Sequence, residues 1–275
     1  MVQLKLKKFQ ITSISSESTV VMVGKRRSGK SICIKDILYY HQDIPIGTII
    51  SPTESSNSFF ESIVPSLFIH DEYTPPLLEN VVKRQKMMMK KVRSEEAKYG
   101  RSTVDPRSFL VLDDCLFDNI WAKDTNMKFL FLNGRHIREM VIITMQYPLG
   151  IPPNLRTNID YTFIFRDNIK NNRKRIYDNY AGMFPTFDSF CSILDQTTEN
   201  YECLVIDNGS QSNRLDDQVF WYKAEIHPDY TLGSKVFWDK HNELINDDCM
   251  EDEEQFDNDR HFRPKGVSIC VKKGY

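Results

Sequence analysis

The chain has 275 residues, 40% of them hydrophobic and 27% charged, and a net charge of −2. That length is ample for a buried core, and no apolar run approaches the ~20 residues needed to cross a bilayer. Its six cysteines (33, 115, 191, 203, 249 and 270) form no CxxC pair and sit beside no histidine cluster. Structural zinc and a disulfide framework are therefore not expected, and a reducing compartment is. Residues 247–259 carry eight acids and no base, so setting those eight aside turns the net −2 into +6. A mildly basic body with an acidic tail follows.

Residues 1–17 read as an N-terminal strand or arm, because charge and apolar side chains alternate there. Next comes Ser18-Thr19-Val20-Val21-Met22-Val23, a β-prone apolar run. It leads into Gly24-Lys25-Arg26-Arg27-Ser28-Gly29-Lys30-Ser31, which is G-x-x-x-x-G-K-[ST], a phosphate-binding loop. The glycines let successive backbone N–H groups turn toward phosphate oxygens. Lys30 is placed for the β- and γ-phosphates and the Ser31 hydroxyl for Mg²⁺. Apolar residues at 34, 37 and 38 predict a helix directly after the loop, its positive end under the anion. Strand before and helix after are the context that this motif requires.

Residues 46–51 read as a second short strand, and 59–64 as a helix stopped by Pro65. A longer helix is predicted over 77–98. Lys83, Lys86, Lys90 and Arg93 share one of its faces, and Val82, Gln85, Met89 and Val92 the neighbouring one. The basic face is a candidate strip for the phosphates of a DNA backbone, or a solvated helix face. After a polar loop, Phe109-Leu110-Val111-Leu112-Asp113-Asp114 is a buried strand ending in two acids, the Walker B pattern. Asp113 is the candidate on the metal side. Asp114 stands where related hydrolases orient or deprotonate the attacking water, although it is one methylene shorter than the usual Glu.

Residues 124–138 predict a helix and 140–145 another buried strand, with Gln146 at its C-terminal end. In open α/β sheets the strand C-termini surround the ligand, so Gln146 is a candidate γ-phosphate sensor. Arg135 before this strand and Arg156 after it are candidates for stabilising charge on ATP held by a neighbouring subunit. Arg26 and Arg27, inside the loop, are candidates for acting on the phosphates of their own site. Further strands are predicted at 161–165, 201–207 and 219–224, the last two as an antiparallel pair. Helices are predicted at 169–180 and 187–194, and a short amphipathic segment at 234–241. The organisation expected is an arm (1–17), a P-loop ATPase domain (18–246) and an acidic, flexible tail (247–275). The fold class expected is α/β. It is a RecA-like P-loop core of the additional-strand division: a mostly parallel sheet flanked by helices, with antiparallel strands added near the C-terminus.

The phosphate loop, Leu112-Asp113-Asp114-Cys115, and the run from Gly134-Arg135-His136 to Gln146-Tyr147-Pro148 resemble the FtsK–HerA group of DNA-translocating ATPases. Within it, the chain resembles the DNA-packaging ATPases of nucleocytoplasmic large DNA viruses. Thr53-Glu54, Arg84-Gln85, Pro152-Pro153-Asn154-Leu155-Arg156 and Trp221-Tyr222-Lys223-Ala224 add to the likeness, which covers about residues 18–240. The resemblance implies an ATP- and Mg²⁺-dependent motor, assembled as a homo-oligomeric ring, that threads double-stranded DNA into a capsid. It implies the host cytoplasm or the virion as location, and a capsid or inner-membrane protein of the virion as a further partner. Competing readings are a P-loop kinase or GTPase, a HerA-type helicase, and a non-enzymatic ATP-gated scaffold. The guanine-reading Asn-Lys-x-Asp pattern is absent.

Overall fold

The computed structural model describes residues 5–116, 120–148 and 150–244. The acidic segment expected as a flexible tail lies outside them. The described strands form one sheet: β1 (Lys7–Lys8), β2 (Thr19–Val23), β3 (Gly47–Ile50), β4 (Ile69–His70), β5 (Ser108–Asp113), β6 (Glu139–Met145), β7 (Tyr161–Ile164), β8 (Glu202–Asp207) and β9 (Val219–Lys223). Their order across the sheet is β1-β9-β8-β7-β2-β6-β5-β3-β4. Strands β2 to β7 pair in parallel with one another, and β8 is antiparallel to both β7 and β9. Because β1 is parallel to β9, β8 alone runs against the rest.

Along the sequence, β3 lies between the phosphate loop and the acids. In the sheet, the separating strand is β6, the one that leads to Gln146. Both of its edges are occupied, by β2 and by β5. That places Gln146 between the phosphate loop and the acidic pair.

Five longer helices cover the two faces: α1 (Lys30–Tyr39), α2 (Pro75–Tyr99), α3 (Thr125–Asn133), α4 (Lys170–Tyr180) and α5 (Phe187–Thr197). Alternate residues of each strand enter opposite cores. Val20, Met22, Val111 and Ile142 pack with Cys33, Ile34, Ile37 and Leu38 of α1. Val21, Val23, Leu110, Leu112, Val141 and Ile143 pack with Leu78 and Val82 of α2, Leu130 of α3, Ile176 of α4 and Leu194 of α5. A sheet covered on both sides needs apolar residues at every position, which is why these strands read as unbroken apolar runs.

Helix α2 begins on a good signal: Thr74 accepts from the Leu77 N–H, and prolines occupy its first turn. It ends at Gly100, whose φ of 74° closes the last turn. The segment expected as an N-terminal arm contributes two strand residues and then buries Phe9, Ile11 and Ile14 in the core.

Two expectations are corrected. Residues 59–64 form turns, and the helix lies earlier, at Glu54–Asn57. The buried Glu54 carboxylate accepts the N–H groups of Phe60 (2.6 Å) and Glu61 (2.8 Å), tying the segment to the short helix before it. The helix expected to reach residue 138 stops at Asn133, followed by a 3-10 turn at Gly134–Ile137. Arg138 is left-handed (φ 59°) and pairs with Glu17, which ends the turn.

Beneath α2, Gln85 donates to the carbonyls of Pro106 and Ile137, 2.8 Å each. Arg84 bonds Ser108, which in turn donates to Glu139 (3.3 Å). Burial pushes the Glu139 carboxyl from its ordinary 4.5 up to about 7, against the opposing pull of Arg84 and Ser108. A carboxyl with a raised folded-state pKa holds its proton more tightly in the fold than in the unfolded chain. The contribution is therefore most favourable below pH 4.5 and is lost as pH rises through 7. The expected loss is about 3 kcal/mol. Glu139→Gln is expected to flatten this component, read as a smaller difference between urea midpoints at about pH 5 and pH 8.

Candidate nucleotide-hydrolysis site

The C-terminal ends of β2, β5 and β6 converge on a cleft of about 1590 Å³. Strand β2 ends clamped on both sides: Gly24 donates to the Met145 carbonyl (3.1 Å) and Phe165 to the Val23 carbonyl (2.8 Å). The loop that follows needs its glycines. A Cβ on Gly24 would stand 2.6 Å from the Phe165 Cβ and 2.9 Å from the Ser28 Oγ. Gly29 has φ 102° and turns the chain into α1, which opens on Lys30. The first N–H groups of α1 therefore face the cleft, with the helix dipole behind them.

Lys30 is 4% exposed. Its Nζ donates to the carbonyls of Gly24 (3.0 Å) and Lys25 (3.1 Å), and lies 3.3 Å from Asp114 Oδ2. Ser31 Oγ donates to Asp113 Oδ2 (3.2 Å). Thr144, on β6, donates to Asp113 Oδ1 (2.7 Å) and accepts the Asp114 N–H (2.9 Å). Gln146 Nε2 donates to Asp114 Oδ2 (3.2 Å). Asp114 itself is left-handed, with φ 49°.

The carboxyl of Asp113 is held above the ordinary carboxylate range, first by burial and then by the charge of Asp114. The bonds from Thr144 and Ser31 and the positive charge of Lys30 oppose that rise. Positive charge at this spot favours the ionised Asp113 carboxylate, so Lys30 acts electrostatically on the acid it faces. Asp113 and Ser31 fit a hard divalent cation. One carboxylate and one hydroxyl, side by side, leave the other positions to phosphate oxygens and water, the coordination Mg²⁺ prefers. Among the described residues, no cluster of three or more His, Cys, Asp or Glu forms an all-protein metal site.

Sequence reasoning missed Thr144, which ties both acids to β6. Its signal was a lone hydroxyl in the apolar run Met140-Val141-Ile142-Ile143-Thr144-Met145. It also missed the pair between Lys25 and the buried Asp167 (3.5 Å), which fastens the loop to the segment before α4. Arg26 and Arg27 are exposed and line the cleft, with no ion pair among the described residues.

Arg135 and Arg156 are not brought to this cleft. Arg135 pairs with Asp160, which also accepts the Thr19 N–H (2.8 Å) at the start of β2. That is the opposite end of a five-residue strand, about 16 Å away along the sheet. Arg156 bonds Asn179 and lies over the Tyr180 ring, 5.6 Å from its centroid. On α2, Lys83, Lys86, Lys90 and Arg93 are all exposed. Lys83 pairs with Glu79 (2.7 Å) and Lys86 sits over Phe129 (4.1 Å). For Lys90 and Arg93 there is no ion pair among the described residues.

A two-sided α/β sheet with β6 between loop and acid pair defines the RecA-like P-loop ATPase fold of the additional-strand division. No family model matches the chain. It is 38% identical over 251 residues to protein L437 of Acanthamoeba polyphaga mimivirus, covering 91% of this chain and 87% of that one. It is also 38% identical over 209 residues to protein 075L of Invertebrate iridescent virus 6, covering 75% and 77%. The chain belongs to this family of large-DNA-virus proteins. In fold it is similar to the genome packaging NTPase B204 of Sulfolobus turreted icosahedral virus 2, solved with ATP-gammaS. There the TM-score is 0.53 and the identity 16%, over 78% of this chain and all of that one. The kinship with large DNA viruses read from the sequence agrees with the first comparison, and the P-loop fold expected for it with the second.

Proposed function

We propose that this protein is an ATP-hydrolysing motor that moves double-stranded DNA into the capsid of a large DNA virus. The observation that carries the reading is the convergence of Lys30, Ser31, Asp113, Asp114 and Gln146 on one cleft, from α1, β5 and the end of β6. The family of large-DNA-virus proteins and the fold shared with a packaging NTPase support it.

The phosphate loop and the N-terminus of α1 hold the triphosphate, with Lys30 beside its β- and γ-phosphates. Bound at Ser31 and Asp113, Mg²⁺ supplies charge neutralisation on the phosphate oxygens. Asp114 orients the water that attacks the γ-phosphorus and takes its proton, so that ADP and phosphate form. Gln146 links the γ-phosphate to β6, and hydrolysis is thereby felt along that strand. Catalysis is mostly positioning and charge stabilisation, because the reaction needs no covalent intermediate.

Arg135 and Arg156 face away from their own cleft, so either completes a site only from a neighbouring subunit, in a homo-oligomeric ring. The strip of Lys83, Lys86, Lys90 and Arg93 contacts DNA phosphates without reading bases, as a motor that accepts every sequence requires. The site of action is the host cytoplasm, with a virion capsid or inner-membrane protein as docking partner. No described helix is long and apolar enough to cross a membrane.

The test is ATP turnover with and without double-stranded DNA. Stimulation by DNA is expected, and its loss in Lys90→Glu/Arg93→Glu. Arg135→Ala mixed with Lys30→Ala regains turnover if Arg135 acts across the subunit boundary. Equal turnover with and without DNA, or phosphate transferred to a small-molecule acceptor, overturns the motor reading.

A further inference from the structure

The cleft has two ends. One holds Asp113, Asp114 and Gln146, where the γ-phosphate is placed above. The other is walled by Ile32, Tyr201, Lys223, Ala224 and Ile226, and neither the phosphate grip nor the hydrolytic chemistry uses it. The topology brings this wall to the phosphate loop. Since β8 alone runs against its neighbours, the residue before β8 and the residues after β9 fall on the edge where β2 ends.

Tyr201 is 70% exposed and Ile226 88%, two large apolar side chains open to the cleft. The Tyr201 Cβ and Cδ1 lie 3.8 Å from where a Cβ on Gly29 would stand, so the ring borders the phosphate loop directly. Tyr201 is also strained: φ is 66°, and 49° at the preceding Asn200. A bulky residue in the left-handed region is rare, and such strain concentrates at ligand sites. Six non-glycine residues have positive φ among the described residues, and three of them, Arg27, Asp114 and Tyr201, line this cleft.

Ile226 is held by a different device. Asp36 of α1 is fully buried, and three groups from the end of β9 and the segment that follows converge on it. They are the Tyr222 hydroxyl (2.6 Å), the Glu225 N–H (2.9 Å) and His227 Nε2 (2.6 Å). The His227 ring stacks on Tyr39, centroids 3.7 Å apart and planes within 2°. The segment is thus latched to the helix that carries the phosphate loop, and Ile226 keeps a set place relative to Ser31.

We propose that Tyr201 and Ile226 clamp the base of the nucleotide, and that His227, through Asp36, positions Ile226. The proposal rests on the nucleotide reading above and adds the recognition of its base. Walls of this kind hold a base through its ring faces, by stacking and apolar contact.

The test is calorimetric titration of ATP and of inorganic tripolyphosphate, both with Mg²⁺, into the full chain and its variants. Tyr201→Ala is expected to weaken ATP about tenfold, from the usual worth of base–aromatic stacking. It leaves tripolyphosphate affinity in place, and Tyr201→Phe restores ATP. Ile226→Ser weakens ATP several-fold with the same selectivity. His227→Ala raises KM for ATP more than it lowers kcat and spares tripolyphosphate. If Lys30→Ala abolishes ATP binding while Tyr201→Ala and Ile226→Ser leave it unchanged, the nucleotide site stands and the clamp falls. If Tyr201→Ala weakens both ligands equally, the ring supports the phosphate loop at Gly29, and the clamp is again overturned. A wild-type chain that binds neither ligand removes both readings.

Discussion

Lys30→Ala is expected to lower ATP turnover by about 10²–10³-fold, the cost of deleting one preorganised charge partner of a transition state. The effect has two parts. The first is direct loss of the ammonium that faces the β- and γ-phosphates. The second follows from the 3.3 Å contact between Lys30 and Asp114. Without that charge, two neighbouring carboxyls lose the cation that opposes the rise of Asp113 above the ordinary range. Protonation of Asp113 is then favoured over a wider pH range, and the site binds Mg²⁺ less well. Turnover should therefore fall more steeply on acidification than in the wild type. Steady-state ATPase rates at several Mg²⁺ concentrations and pH values check this, with the thermal midpoint as a control for folding. Turnover within a few-fold of wild type would remove Lys30 from the mechanism.

Asp114→Asn separates binding from chemistry. An amide fills the same space and still accepts from Gln146, now 3.2 Å from Asp114 Oδ2. Asn also tolerates left-handed backbone well, so the φ of 49° at this position is kept. What the amide cannot do is accept the proton of the attacking water. The expected outcome is a fall in kcat of about 10²–10⁴-fold, with ATP affinity kept or raised. Single-turnover hydrolysis beside a binding titration measures both. Unchanged kcat would assign Asp114 to holding Lys30 and Gln146 in place, and would give activation of the water to another group.

The elements that the sequence made legible share one property: their signals are local. The loop from Gly24 to Ser31 carries its own backbone requirement, and the structure meets it with φ 102° at Gly29 and a crowded Gly24. Strands buried on both faces announce themselves as apolar runs, so β2, β5 and β6 were visible, as were the acids ending β5. The failed helix at 59–64 shows the limit of local reasoning. Its first turn is instead tied to Glu54, a buried carboxylate whose contact no window over those residues reveals.

By itself, then, the sequence determined the Gly24–Ser31 loop, the acid pair and the alternation of strands and helices, because each depends on neighbours along the chain. Only the tertiary structure decided which strand separates loop from acids, since pairing order is set by how faces and edges are covered. It also decided that Thr144 braces both carboxylates, that Arg135 belongs to the far end of the sheet, and that Tyr201 and Ile226 line the same cleft as the phosphate loop. Those arrangements join residues tens to nearly two hundred positions apart, such as Asp36 with His227, and chain separation carries no record of them. The reversed direction of β8 is the physical cause of the last: it returns both ends of the β8–β9 pair to the edge where the nucleotide chemistry is placed.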